Sequence, residues 1–304
     1  VDWLVASGDP AVALLARRDL LGEDVDDPDA VLRSRRVRAL LAGQQADGGF
    51  GVQPYSKWTG AHWRLVSLVE LGLPAGEPRG VAAAHVVLDW LASPRRRVRV
   101  VDGLPRRCAS MEGNGLAVAC RLGLGGDPRA ETLARGLVAW QWPDGGWNCD
   151  PKATGRRSSF HESLIPAWAL HEYSKATGAP WAREAALRTA ELLLDHRLFR
   201  ALSTGETVSP AWLRLRYPPY WHYDILHALL VLSRMGLAGD PRAADALAVI
   251  REKQLPDGRW RADGAWWRPP GSDGGGREVV DWGRSGPNEM ITLNACRVLA
   301  AAAA

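Results

Sequence analysis

The segment Gln141-Trp142-Pro143-Asp144-Gly145-Gly146-Trp147 closes one helix-like run and opens a loop, and its pattern occurs twice more. Gln45-Ala46-Asp47-Gly48-Gly49-Phe50 comes before it and Gln254-Leu255-Pro256-Asp257-Gly258-Arg259-Trp260 after it. Self-similarity of this kind decides the architecture first, because each copy is one supersecondary unit that buries its apolar face only by stacking on its neighbours. The flanks repeat as well: the run from Arg121 to Ala130 returns from Arg234 to Ala243, an offset of 113 residues, or two units of about 56. The first two turns stand 97 residues apart, so degenerate copies are expected in the gaps, at Ser93 to Arg107 and His196 to Tyr220.

Each unit reads helix, short turn, helix, long loop. In the short turn a Gly ends one helix, and an acidic N-cap with Pro at the first helical position starts the next. The first helices are expected at Pro10–Leu21, Thr59–Leu71, Ala109–Leu122, Ser159–Tyr173, His222–Met235 and Asn288–Ala303. The second helices are expected at Asp29–Ala42, Gly80–Leu91, Pro128–Gln141, Trp181–His196 and Pro241–Gln254. The first set is apolar nearly all round, as in Ile225 to Leu232, and the second carries a charged face. Buried helices are hydrophobic on every side and surface helices on one. Six inner and five outer helices predict an all-α fold, a single α/α toroid domain over residues 1–304.

With 46% hydrophobic and 24% charged residues, the chain has the composition of a globular protein. The net charge of +4 comes from scattered Arg with no aromatic-interleaved basic stripe, which argues against nucleic acid. No apolar stretch approaches the roughly 20 residues that span a bilayer, and four cysteines in so long a chain fit a reduced compartment, so a cytoplasmic protein is expected.

The repeat turns resemble those of squalene-hopene cyclases. The stretch Gly145 to Lys152, followed by Ser159-Phe160-His161, resembles the protein prenyltransferase β subunits. Both families are six-fold α/α toroids around an apolar cavity. The resemblance implies an enzyme that takes an apolar, isoprenoid-type substrate in that cavity, with a helical partner subunit in the prenyltransferase case. It also implies zinc, because Cys108 and His161 match the family's Cys and His ligands, one repeat apart. The family's Asp ligand is replaced by Arg106. Cys149, with Asp150 beside it, lies on the way to His161 and is the residue that restores a ligand, while Asp150, Glu162, His222 and Asp224 are the acid/base or further ligand candidates. A set of thiolates and imidazole suits tetrahedral zinc with an open fourth position.

If the loops meet on one face, the inner-helix starts surround a mouth. Trp58, His62, Glu112, Trp221, His227 and Glu289 are the expected substrate contacts there. Arg95–Arg107 is a candidate diphosphate site through guanidinium chemistry, and Asp263–Pro287, rich in Gly, reads as a mobile lid. Asp24-Val25-Asp26-Asp27 has the form of a class II cyclase acid motif, but it precedes an outer helix, where acidic residues cap helix starts without any catalysis. Two other readings stay open: a non-catalytic toroid that holds a hydrophobic ligand or a protein, and a carbohydrate- or peptide-modifying toroid enzyme.

Overall fold

The computed structural model describes residues 1–93 and 98–303. These form an all-α protein with one short hairpin: α1 Asp2–Val5, α2 Pro10–Leu21, α3 Pro28–Arg33, α4 Arg35–Leu41, α5 Ala61–Glu70, α6 Pro78–Leu91, β1 Arg99–Val101, β2 Leu104–Arg106, α7 Ala109–Arg121, α8 Pro128–Trp140, α9 Phe160–Thr177, α10 Pro180–Asp195, α11 Ile225–Arg234, α12 Ala244–Glu252 and α13 Glu289–Ala301. Two classes of helix separate by burial. In α5 every residue from Ala61 to Val69 is buried, whereas α8 buries only Ala130, Leu133, Ala134 and Leu137. The buried helices neighbour one another in the order α5, α7, α9, α11, α13, α2, and α6, α8, α10 and α12 lie against them. No helix among the described residues is long and apolar enough to cross a membrane.

The short turns work as their residues dictate. Asp9, Asp27, Asp127 and Asp240 each accept a backbone N–H of the next helical turn, and each precedes a Pro whose missing N–H costs nothing there. Asp27 is thus a capping residue, and its carboxyl is held below the usual range by the Ala30 N–H. The helix expected over Asp29–Ala42 breaks at Ser34, which is fully buried. Its hydroxyl donates to Asp9 at 3.0 Å while accepting from the Val37 N–H, so it starts α4 instead of continuing α3. In the region of the first degenerate copy, β1 pairs antiparallel with β2 through Asp102 and Gly103, both at positive φ, the conformation a tight Asp-Gly hairpin turn requires.

The repeat turn is a closed hydrogen-bonded unit. In the second copy the Trp142 N–H donates to the Gly146 carbonyl, and the Gln141 side-chain amide donates to the Gly145 carbonyl at 2.8 Å. The first copy uses Gln44 for this bond, one residue before the expected Gln45. The indoles of Trp147 and Trp260 each donate to a carbonyl ten residues earlier, those of Leu137 and Ile250. Phe50 has no such donor. There the Arg64 guanidinium lies over the Phe50 ring and itself donates to the Leu40 carbonyl at 2.9 Å.

A charged girdle joins the C-terminal ends of the buried helices. Asp19, Glu70, Arg121 and Glu172 recur every 51 residues, and Arg234 and Arg297 complete the set. Arg234 binds both oxygens of Glu70, Arg297 reaches Asp19 through Nε at 2.9 Å, and Arg121 stands 3.6 Å from Glu172. Burial alone would raise the Glu70 carboxyl, but Arg234 and its neighbours bring it down to about 2.

Candidate metal centre and stoppered mouth

The turn that ends at Trp147 positions the site. Beyond it the chain runs beside the end of the hairpin: Arg106 bridges Asn148 in a parallel pairing, and the Arg107 N–H donates to the Asn148 carbonyl at 3.2 Å. This parallel run sets Cys108 beside Cys149. The start of α9 is tied to the same turn, since the Ser159 N–H donates to the Trp147 carbonyl and the Trp147 N–H to Ser163 Oγ. One turn into that helix start, Glu162 faces the two thiols.

Cys108 Sγ, Cys149 Sγ and a Glu162 oxygen all lie within 4.8 Å of one another, the one such group of His, Cys, Asp and Glu among the described residues. Glu162 is oriented from both sides: Oε2 accepts the Ser110 N–H at 3.0 Å, and Oε1 accepts the Cys149 thiol at 3.5 Å. Cys108 is exposed, which leaves an entry path. The Cys149 hydrogen bond pulls the Cys108 thiol down, and the same contact, with burial, drives Cys149 far up. Burial likewise raises Glu162. Three adjacent acids cannot all ionise unaided, whereas a dication among them reverses that logic. Two soft sulfurs and one oxygen suit zinc, and ligand atoms on a tetrahedral ion stand roughly 3 to 4 Å apart, so the donors need to move little.

His161 stands apart from this group. Its Nδ1 accepts the Tyr223 N–H at 2.8 Å, so the proton of the ring sits on Nε2 and neither nitrogen has a lone pair to give a metal. Asp150 shapes the loop, accepting the Lys152 N–H on Oδ1. Asp224 is buried at the N-cap of α11, where Oδ1 accepts the His227 N–H; burial pushes its carboxyl up to about 7. His222 lies between the rings of Trp221 and Trp266, with centroids at 4.0 and 3.8 Å, and burial takes it down to about 3.

The expected substrate contacts are dispersed. Trp58 stacks on Tyr220 at 4.2 Å and Lys57 lies over both Trp58 and Trp221, so these rings form an aromatic stopper. His62 is buried edge-on to Trp63. Glu112 is fully buried and pairs with Arg107. Glu289 accepts from Arg36 at 2.6 Å and from Ser7, tying the N-terminal segment to α13. His227 lines the space between the buried helices, where burial lowers it to about 4.

That space differs from an isoprenoid cavity. Its volume is about 30 Å³, room for about two water molecules. Its wall includes Glu70 and three buried polar groups with no partner: Ser67 Oγ, the Asn114 amide and the Tyr217 hydroxyl. The segment Tyr217 to Tyr220 covers it.

Asp263–Pro287 does lie over this mouth, but it is pinned there. Trp267 Nε1 donates to the Tyr217 carbonyl at 2.9 Å, the Trp58 N–H to the Arg277 carbonyl at 3.1 Å, and Trp267, Glu278 and Trp282 are buried. Glu278 has no counterpart in the sequence reading, because it falls in a segment outside the repeat. It accepts the Tyr220 hydroxyl, and burial pushes its carboxyl up to about 7. Of the arginine-rich stretch, residues 94–97 lie outside the described residues. Arg106 lies over Trp142 and donates to the Gly155 carbonyl, and Arg107 is paired with Glu112, so both guanidinium groups serve internal contacts.

The chain matches no protein-family model and no curated protein. Among solved structures, a crystal structure of a protein from Actinoplanes is similar over 97% of this chain and 90% of that one, with 20% identity and a TM-score of 0.44. That likeness is too loose to bear on fold or chemistry.

Proposed function

We propose that the chain is an α/α toroid enzyme of the terpene cyclase and prenyltransferase type whose chemistry sits at a zinc centre on the rim, with an apolar isoprenoid-type substrate bound against the aromatic mouth. Three observations support the toroid. The buried helices neighbour one another in one cyclic order, and Leu15 of α2 meets the end of α5 at Gly72, which brings the two ends of that order together. Each buried helix adds one residue to the charged girdle. In a six-membered ring α5 and α11 are opposite, and the Glu70–Arg234 pair then closes the hub from one side to the other.

The reading of function is carried by Cys108, Cys149 and Glu162, whose ligand atoms lie within 4.8 Å of one another beside an exposed edge. Bound zinc with three protein ligands keeps a position at which a thiol or water is activated. The Ser110 N–H holds the Glu162 carboxylate toward the thiols. The half-buried Trp221 and Trp266 supply apolar and cation–π surface, and Lys57 and Arg216, which lie over these two rings, bring positive charge for an anionic leaving group.

Metal analysis of the purified protein tests this. The expected result is one zinc per chain, lost in Cys108→Ser and Cys149→Ser, with sulfur-to-metal charge-transfer bands when cobalt replaces zinc. Equal metal content in wild type and in a Cys108→Ser/Cys149→Ser double variant sinks the proposal.

A further inference from the structure

A second concavity lies away from the hub. It is a groove of about 740 Å³ between the start of α9 and the loop after α10, lined by Ser159, Phe160, His161, His196, Val208 and Trp212 among others. That size suits a small organic ligand. The floor is aromatic: Phe160 and Trp212 stack at 4.8 Å and 15°. His196 stands edge-on to Phe160 at 5.1 Å and His161 edge-on to Trp212 at 6.2 Å, so one imidazole flanks each ring of the pair.

The two imidazoles offer opposite hydrogen-bonding character, and in each case the protein fixes it. His161 Nδ1 accepts the Tyr223 N–H, and a backbone N–H can only donate, so Nε2 carries the proton and is a donor. His196 Nδ1 lies 2.8 Å from the Arg200 carbonyl, which can only accept, so Nδ1 carries the proton and Nε2 of the neutral ring is an acceptor. One wall therefore gives a hydrogen bond and the other takes one. A carboxylate would satisfy only the donor, and on the lining it would meet two carboxylates, Asp144 and Glu206, against one guanidinium, Arg157. An ammonium would satisfy the acceptor and the two acids but leave the His161 Nε2–H with nothing to donate to. A hydrocarbon chain would leave both nitrogens unpaired on desolvation, which is unfavourable.

We infer that this groove binds a neutral, planar heterocycle of the purine-base type, with His161 Nε2–H on a ring carbonyl, His196 Nε2 on a ring N–H at the opposite edge, and Trp212 against the ring. A bicyclic base carries a carbonyl and an N–H on opposite edges of one flat ring system, and flatness suits an aromatic floor. The inference uses no metal and stands or falls apart from the rim centre.

The test uses the full chain, labelled with ¹⁵N, and reads the histidine side-chain resonances during titration with hypoxanthine. The free protein is expected to have His161 as the Nε2–H tautomer and His196 as the Nδ1–H tautomer. Hypoxanthine is expected to shift both. Purine, which lacks the carbonyl, and 9-methylhypoxanthine, which lacks the far N–H, should each bind at least about tenfold more weakly. His196→Phe should reduce hypoxanthine to the level of 9-methylhypoxanthine and leave the latter unchanged. Equal binding of the three compounds overturns the inference, as does no shift at the solubility limit of hypoxanthine. Equivalent shifts with methyl α-glucoside also overturn it, in favour of a sugar site. The wild-type comparison decides even if His196→Phe fails to fold.

Discussion

The second and third repeat turns are built on the same frame and carry different residues. Both hold a Gly at φ near +90°, at Gly145 and Gly258, and both send a Trp indole to a carbonyl ten residues back. Both tie that Trp backbone to the next helix through a hydroxyl, Ser163 in one and Thr292 in the other. Superposed on this register, Cys149 corresponds to Ala262 and Glu162 to Ile291, and the last two are buried apolar residues. The frame thus closes well without a thiol or a carboxylate at either position. Placing Glu162 where a sister turn uses Ile leaves a buried acid whose desolvation outweighs its hydrogen bonds from Ser110 and Cys149, and such displaced groups concentrate at functional sites.

The comparison is broken or sharpened by substitutions that move one turn toward the other. The largest effect is expected at the shared glycine. A Cβ at Gly145 would stand 2.5 Å from the Arg188 carbonyl oxygen, whereas at Gly258 the nearest atom is 3.8 Å away. Gly145→Ala should lose about 3 kcal/mol or more of unfolding free energy, and Gly258→Ala about 1 kcal/mol from the positive φ alone. Equal losses by urea unfolding would mean that the two turns are not packed alike.

Next come the helix caps. Asp224 caps α11 as the neutral Asn288 caps α13, but the Asp224 carboxyl sits at about 7, above its unfolded value near 3.9. The folded state therefore binds the proton more tightly, so stability is fullest below pH 4 and falls as pH rises through 7. Asp224→Asn keeps the capping oxygen and should remove that slope, gaining up to about 3 kcal/mol at pH 8. An unchanged slope in pH-dependent unfolding would place the titration elsewhere.

Zinc at one hundred times its Kd should stabilise the wild type by about 2.7 kcal/mol. Glu162→Ile, which copies Ile291, should fold and show a much smaller shift. A full shift in that variant, measured by thermal unfolding with and without zinc, would remove Glu162 from the ligand set. The smallest effect is expected from the braces: Trp147→Phe and Trp260→Phe each strand one buried carbonyl and should cost about 1 to 2 kcal/mol. A much larger loss at Trp147 alone would mean that the turn leading to Cys149 depends on its brace more than its sister does.

Much of the helical frame was legible because its signals are local. Asp-Pro starts, Gly ends and the apolar faces placed most boundaries within a few residues, and the exceptions have tertiary causes. Ser34 breaks a helix because Asp9, far away in sequence, binds its hydroxyl. The register of the first turn was off by one because Gln44 and Gln45 are adjacent, and only the bond to the Gly48 carbonyl distinguishes them. The 51-residue spacing of Asp19, Glu70, Arg121 and Glu172 was present in the sequence but hidden among 72 charged residues, since nothing local separates a girdle residue from a solvated one.

By itself, then, the sequence determined the repeat, the helix pairs, the capping role of Asp27 and the nearness of Cys108 and Cys149 to one edge. Periodicity and caps are properties of neighbouring residues, so one chain suffices to read them. Only the tertiary structure decided that Glu162 and not its neighbour His161 joins the thiols, because a backbone N–H from residue 223 occupies the imidazole. It also decided that the space between the buried helices is narrow, with partnerless polar groups in its wall, and that Asp263–Pro287 is fastened to Trp58 and Tyr217. Those outcomes depend on which side chains meet across the fold, on burial and on partner choice, and none of these is encoded within a single turn.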